Sequence, residues 1–193
     1  MQRDTNPISL FKAWYQEELD QSSLSIPSAV CLSTQGLDGY PNARFVSFKE
    51  IIDGSFVITG PLNSRKGLEI QQHHQVALTF WWTTTERQVR IQGVAQKLSP
   101  EPADSYFEKR SRASQVVSNI SQQGSEINDI ALLQSTVKTQ LKINEHIKRP
   151  ESWGEFAIQP IRMEFMQFKP SRFHERWLFE RHKEQWLINQ LQP

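Results

Sequence analysis

Residues 76–98 read V-A-L-T-F-W-W-T-T-T-E-R-Q-V-R-I-Q-G-V-A-Q-K-L. Val76–Trp82 carries apolar and aromatic side chains at both odd and even positions, which predicts a central strand buried on both faces. Thr83–Glu86 turns the chain. Arg87–Leu98 returns as a long strand, with Gln88, Arg90 and Gln92 on one face and Val89, Ile91 and Val94 nearby.

The same grammar extends upstream. Ala29–Ser33 is a short apolar strand, Leu37-Asp38-Gly39 a turn signal and Asn42–Phe48 the returning strand of a hairpin. Asp53-Gly54 turns again into Ser55–Thr59. Asn63 or Ser64 can cap a short helix through about Gln72. Nearer the N-terminus, Asn6 before Pro7 reads as an N-cap and first helical residue, and Ile8, Phe11, Trp14 and Tyr15 recur at helical spacing, so a helix is expected over about 7–20. A loop, Q-S-S-L-S-I-P-S, follows at 21–28.

Downstream, Ser99-Pro100-Glu101-Pro102 opens a helix expected to run through Tyr106 and Arg110. Ser118–Asn128 is a polar connection. Asp129–Ile147 has a helical stripe through Ile130, Leu133, Val137 and Leu141, interrupted at Asn144, and Pro150 ends it. Strands are expected at Gly154–Ile158 and Met163–Phe168, then a hairpin over Phe173–Leu191 around His182-Lys183. Short strands in hairpin order predict a mainly β fold with flanking helices (α+β), a barrel or sandwich. Residues 1–193 form one domain, with a helical insertion at about 100–147.

A chain of 193 residues with 37% hydrophobic and 22% charged residues can bury a sizeable core. Its net charge of +1 argues against bulk binding to nucleic acid or anionic membrane. Positive charge is grouped locally instead, at Arg65-Lys66, Lys109–Arg112 and Arg172–Arg181. The single Cys31, in an apolar run, reads as a buried thiol and fits a cytoplasmic protein. No apolar run approaches the ~20 residues of a membrane span, and M-Q-R-D-T-N-P lacks a signal peptide's apolar core. Adjacent His73-His74 are poorly placed to share a metal, and no other Cys/His cluster has zinc spacing. No glycine-rich nucleotide loop is present, so a nucleotide would be held by side chains.

Several constellations point to anions. Asn63-Ser64-Arg65-Lys66 puts two cations at a helix start, where the dipole already attracts anions; a solvated loop is the plain alternative. Tyr106, Arg110 and Ser114 recur every four residues and make a phosphate clamp or a solvated helix face. Arg44 and Lys49 stand five apart, so either a bulge re-aims one of them or Lys49 lies past the strand end. Gln88 can donate and accept at once, as the edge of a heterocycle requires. In P-S-R-F-H-E-R-W at 170–177, Arg172, His174 and Arg176 alternate and would share one strand face.

The ordered motifs A-R-F-V-S-F-K at 43–49, S-R-K-G at 64–67, R-Q-V-R at 87–90, S-Y-F-x-x-R-x-x-x-S at 105–114, W-G at 153–154 and S-R-F-H-E-R at 171–176 resemble those of the pyridoxamine 5′-phosphate oxidase family. So does the ending W-L-I-N-Q-L-Q-P, and the similarity runs over nearly the whole chain. The resemblance implies an FMN-binding split β-barrel, a homodimer with flavin at the subunit interface. It implies oxidation of pyridoxine or pyridoxamine 5′-phosphate to pyridoxal 5′-phosphate, with hydride passing from C4′ to flavin N5 and dioxygen leaving as hydrogen peroxide. By position, Arg44, Arg65, Lys66, Gln88, Gln123 and Arg176 would bind FMN. Lys49, Tyr106, Arg110 and Ser114 would hold the substrate phosphate, Lys49 being shared with the cofactor set. Arg172 and His174 would flank the reacting carbon.

The sequence departs from the family pattern at Met166 in E-F-M-Q, at Thr59-Gly60 and at Gly124, each removing a possible flavin contact. Only Arg3 stands ahead of Asn6 where the family can carry an arginine-rich segment. A non-catalytic vitamer-binding protein and a flavin reductase with another substrate are the competing expectations.

Overall fold

The hairpins close into a ring. The structure, a computed structural model, describes residues 6–24 and 26–193; Arg3, and Ser25 of the 21–28 loop, lie outside them. Strands β1 (Ala29–Gln35), β2 (Pro41–Ile52) and β3 (Ser55–Pro61) form a meander, and β4 (Gln75–Trp82) with β5 (Arg87–Lys97) forms a hairpin. β4 joins β1, while β6 (Trp153–Gln167) pairs with β5 on one side and β3 on the other. Six antiparallel strands thus make a closed barrel without edges. A hairpin of β7 (Glu175–His182) and β8 (Gln185–Leu191) extends the sheet outward from β6.

Helix α1 (Pro7–Gln21) lays its apolar face against the barrel interior. Asn6 caps it by accepting from the Ile8 N–H at 2.9 Å. Phe11 is fully buried and meets Phe56 and Phe80 edge-on at 4.8 and 4.9 Å between ring centres. At the far end of α1, the buried Glu18 carboxylate accepts from the Thr85 N–H at 3.0 Å and its hydroxyl at 2.9 Å. That pins the β4–β5 turn to the helix. Among the described residues, no helix is long and apolar enough to cross a membrane.

β4 is central, between β1 and β5, but it is not buried on both faces. Val76, Leu78, Phe80 and Trp82 point inward, whereas Trp81 is half exposed and packs edge-on against Phe168. A barrel wall has one interior, and Trp81 stands on its outer side. The expected strands at 154–158 and 163–168 are one continuous β6. Its register against β5 shifts between Gln92 and Gly93, where a Cβ on Gly93 would stand 2.4 Å from the Gln159 carbonyl oxygen.

The insertion holds three helices, α3 (Pro100–Glu108), α4 (Arg112–Ile120) and α5 (Ile130–Lys142). The helix expected to reach Arg110 breaks at Lys109–Ser111, and Ser111 then caps α4 by accepting from the Ser114 N–H. The α4 helix was not expected. Asp129 caps α5 through the Leu132 N–H, but α5 ends at Lys142 and does not reach Ile147. None of its residues is buried, so no core holds a further turn. Ile147 packs instead with Ala103, Phe107 and Trp153. β7 starts at Glu175, so Arg172 and His174 lie in a turn and do not share a strand face with Arg176.

Candidate active site

Helix α2 (Arg65–Gln72) follows β3 directly, so its first turn faces β2 and the loop after α4. Its first N–H groups have no intrahelical acceptor. A pocket of about 560 Å³ opens there, lined among others by Arg44, Thr59, Lys66, Arg110, Gln123 and Trp153. Arg65, Ser64, Gly60 and Gly124 also face it.

Two of the three basic side chains at the α2 end are held by one carboxylate. Glu69, fully buried, accepts from Arg44 Nη2 at 2.9 Å, Arg65 Nε at 2.9 Å, Asn42 Nδ2 at 2.5 Å and Thr34 Oγ1 at 2.5 Å. Burial alone would raise its carboxyl; the hydrogen bonds from Thr34, Arg65 and Asn42 and the charge of Arg44 outweigh it and hold the group below the usual range. Arg44 also donates to Thr34 Oγ1 at 2.5 Å, and Arg65 to Asp38 at 2.5 Å.

Lys66 Nζ donates to Ser64 Oγ at 3.0 Å and to the Gln123 side-chain carbonyl. Burial, with Arg44 nearby, pushes its ammonium down to about 8. Gly60 leaves room for that side chain: a Cβ there would come within 3.2 Å of Lys66 Cε.

A second cluster adjoins the pocket. The β2–β3 register shifts between Phe48 and Ile51, so a bulge sets the orientation of Lys49 and Glu50. The Tyr106 hydroxyl donates to Glu50. Burial, Glu50 and, further off, Glu155 push that phenol up. Burial and the Arg110 charge lower the Lys49 ammonium. The Arg110 guanidinium sits over the Trp153 ring at 5.0 Å, and its buried Nε has no partner. Its Nη2 reaches the Ser114 carbonyl oxygen at 3.5 Å. Because the helix breaks between them, Tyr106, Arg110 and Ser114 come from α3, the break and α4 in turn.

The remaining candidates stand apart. Gln88, Met166 and Arg176 lie in one row across β5, β6 and β7, so they face one side of the sheet. Arg176 holds Glu164 through Nε and Nη2 at 3.1 and 2.7 Å. Arg172, at φ +64°, shapes the turn before β7. His174 Nδ1 accepts from the Lys169 N–H at 3.1 Å, which leaves Nε2 as the donor of the neutral ring. Among the described residues lining the pocket, none of Gln88, Arg172, His174 and Arg176 appears.

Sequence reading missed Glu69, Glu50 and Glu155. Glu69 stands four residues after Arg65 on the short helix, a visible signal. Glu50 and Glu155 left none, because their positions depend on a bulge and on the β3–β6 seam.

Two family models match the chain: pyridoxamine 5′-phosphate oxidase over residues 16–143, and the pyridoxine 5′-phosphate oxidase C-terminal dimerisation region over residues 153–193. The pyridoxine/pyridoxamine 5′-phosphate oxidase of Bacteroides thetaiotaomicron is 38% identical over 191 residues, covering 97% of this chain and 89% of its own. The protein of the same name from Coxiella burnetii is 36% identical over 190 residues, covering 98% and 96%. Among solved structures, PhzG from Burkholderia lata 383, in complex with tetrahydrophenazine-1-carboxylic acid, superposes with a TM-score of 0.93 at 28% identity, over 100% of this chain and 95% of that one. A pyridoxamine 5′-phosphate oxidase-related, FMN-binding protein from Nostoc punctiforme PCC 73102 superposes with a TM-score of 0.80 at 16% identity, over 98% and 99%, a likeness of fold.

Proposed function

The chain belongs to the pyridoxamine 5′-phosphate oxidase family, and from that premise we propose that it uses FMN to oxidise pyridoxine or pyridoxamine 5′-phosphate to pyridoxal 5′-phosphate. The observation that carries this reading is the convergence of Arg44, Arg65, Lys66 and Gln123 with the start of α2 on one pocket. That donor set suits the phosphate of FMN: two guanidinium groups held in place by Glu69, an ammonium, and free helix N–H groups. FMN, when bound, supplies a hydride acceptor at N5, and dioxygen takes up the electrons to give hydrogen peroxide.

The chain's own side chains bind and orient. Lys49, Tyr106, Arg110 and Ser114 hold the substrate phosphate, and Lys49 also reaches toward the cofactor. A phosphate remote from the reacting carbon anchors the ring, so its binding energy supports orientation. Arg172 and His174 flank the reacting end, with the His174 Nε2–H available as a donor. Gln88 and Arg176 complete the cofactor shell from a second copy of the chain, which explains why they stand apart from the pocket in one copy. The match to a dimerisation region supports this, as do exposed Phe45, Trp81 and Phe173.

The test is the visible spectrum of the purified protein under anaerobic titration with pyridoxine 5′-phosphate. Bleaching of a bound flavin is expected together with formation of pyridoxal 5′-phosphate, and the colour returns on admission of air. A protein that takes up no FMN, or whose flavin stays oxidised with both vitamer phosphates, refutes the reading. Oxidation of a different anionic substrate is the alternative. It is favoured by the presence of Glu50 on the Tyr106 hydroxyl, where a phosphate clamp would keep the phenol free.

A further inference from the structure

Glu155 is 1% exposed, and neither carboxylate oxygen has a hydrogen-bond partner. Such a group is costly unless it is neutral or meets a ligand. Its place in the sheet says which way it faces. Glu155 pairs with Thr59 across the β3–β6 seam, and Trp153 pairs with Pro61. Opposed residues on paired strands share a face, as do alternate residues along one strand. Thr59, Pro61 and Trp153 all line the 560 Å³ pocket, so Glu155 belongs to the same layer, beneath the helical insertion. Two donors in that layer are also buried and unmet, Arg110 Nε and Trp153 Nε1.

We propose that Glu155 is a specificity-determining residue that takes up a proton as the substrate's anionic group settles among Lys49, Tyr106 and Arg110, and then holds that group as a hydrogen-bond donor. This rests on the substrate site assigned above. A dianion would satisfy the unmet donors yet face a bare carboxylate; a carboxylic acid removes that conflict. The groups within electrostatic reach of Glu155 are Arg149 from the segment before β6, Glu50 from the β2 bulge and Tyr106 from α3. Just past β5, the Leu98 N–H donates to the Glu155 main-chain carbonyl. Burial pushes the carboxyl up; Arg149 opposes this and Glu50 reinforces it. An arriving phosphate adds negative charge and pushes further the same way.

The experiment measures the dissociation constant of pyridoxal 5′-phosphate from the FMN-loaded protein between about pH 6 and about pH 9, for wild type and Glu155→Gln. The amide donates at every pH. Affinity of the wild type should weaken by up to about tenfold per pH unit once the carboxyl ionises, and the variant should lack that component. Ionisations of the ligand are common to both, so the ratio of the two constants isolates Glu155. Parallel profiles overturn the proposal. Should the variant not fold, calorimetry is run on wild type and on Lys49→Met, which removes the lowered ammonium at the same site. The ligand is phenyl phosphate, whose second ionisation lies near pH ~6, and two buffers of different ionisation enthalpy separate the two groups. Uptake that survives Lys49→Met belongs to Glu155. Uptake approaching one proton at pH ~7–8 is expected, and none overturns it. A wild type that never binds pyridoxal 5′-phosphate but binds phenyl phosphate with proton uptake sinks the proposed substrate and keeps the role of Glu155.

Discussion

Truncating Glu69 would remove the shared acceptor of Arg44, Arg65, Asn42 and Thr34 at once, leaving Arg44 on Thr34 and Arg65 on Asp38. Removing one partner of a fully buried charge pair costs roughly 3–5 kcal/mol. Because Arg44 and Arg65 are partly exposed, a smaller loss is expected for Glu69→Ala, read as a lower urea midpoint, together with weaker FMN retention. Lys66 gives a pH signature. Its ammonium titrates at about 8 in the folded protein against an ordinary 10.5, so its charge is present below that value and lost above it. FMN affinity should fall as pH rises through about 8, and Lys66→Arg should flatten the profile. In the flavin-free protein the same shift runs the other way. The unfolded chain keeps the proton that the folded one has lost, so this group's contribution to stability rises with pH between about 8 and 10.5. Arg172→Ala should lose turnover while FMN is retained, and Lys66→Ala should weaken FMN first; equal loss of flavin in both, read by equilibrium dialysis, would remove Arg172 from its assigned place. The cations were legible in the sequence because guanidinium and ammonium groups cluster there for few reasons. Of their carboxylate partners only Glu69 left a signal, four residues after Arg65; its meeting with Thr34, Asn42 and Arg44 did not, since it needs β1, β2 and α2 assembled.

Elements were legible where local chemistry sets their ends. Asn6-Pro7 starts α1, and Asp53-Gly54, with both residues at positive φ, turns β2 into β3. They were misread where tertiary support decides. α5 stops at Lys142 because nothing beneath it is buried, and β6 continues through Pro160 because β5 accommodates it with a bulge. Phe11 is the point at which α1 meets β2, β3 and β4 together. Phe11→Ala should cost roughly 3–5 kcal/mol, seen as a lower denaturation midpoint. Gly67 governs α2 by close approach, since a Cβ there would stand 2.2 Å from the Leu62 carbonyl oxygen. Gly67→Ala must displace the helix that carries Arg65 and Lys66, and weaker flavin binding at nearly unchanged far-ultraviolet dichroism is the expected result.

At the scale of the whole molecule, the barrel was legible as hairpin order, but its closing pair was not, because no local pattern announces which distant strand completes a ring. The separation of the pocket residues from the Gln88–Met166–Arg176 row makes a strong prediction about assembly. Lys66→Ala damages one group and Arg176→Ala the other. If each site draws on two copies, refolding the two variants together should restore about a quarter of the wild-type flavin content, from mixed dimers with one intact site. No recovery would mean that each copy builds its site alone.

The β3–β6 seam joins residues 56–61 to 153–158, a separation of roughly a hundred residues. A growing chain therefore carries β1 to β5 as an open sheet, with a bare edge on β3, until the stretch around residue 158 has left the ribosome. Nascent chains arrested near residue 150 should bind chaperones and aggregate on release, whereas those tethered through a C-terminal linker long enough to bring all of β6 out of the tunnel should resist protease. Birth, more than adult stability, is the vulnerable moment of this barrel.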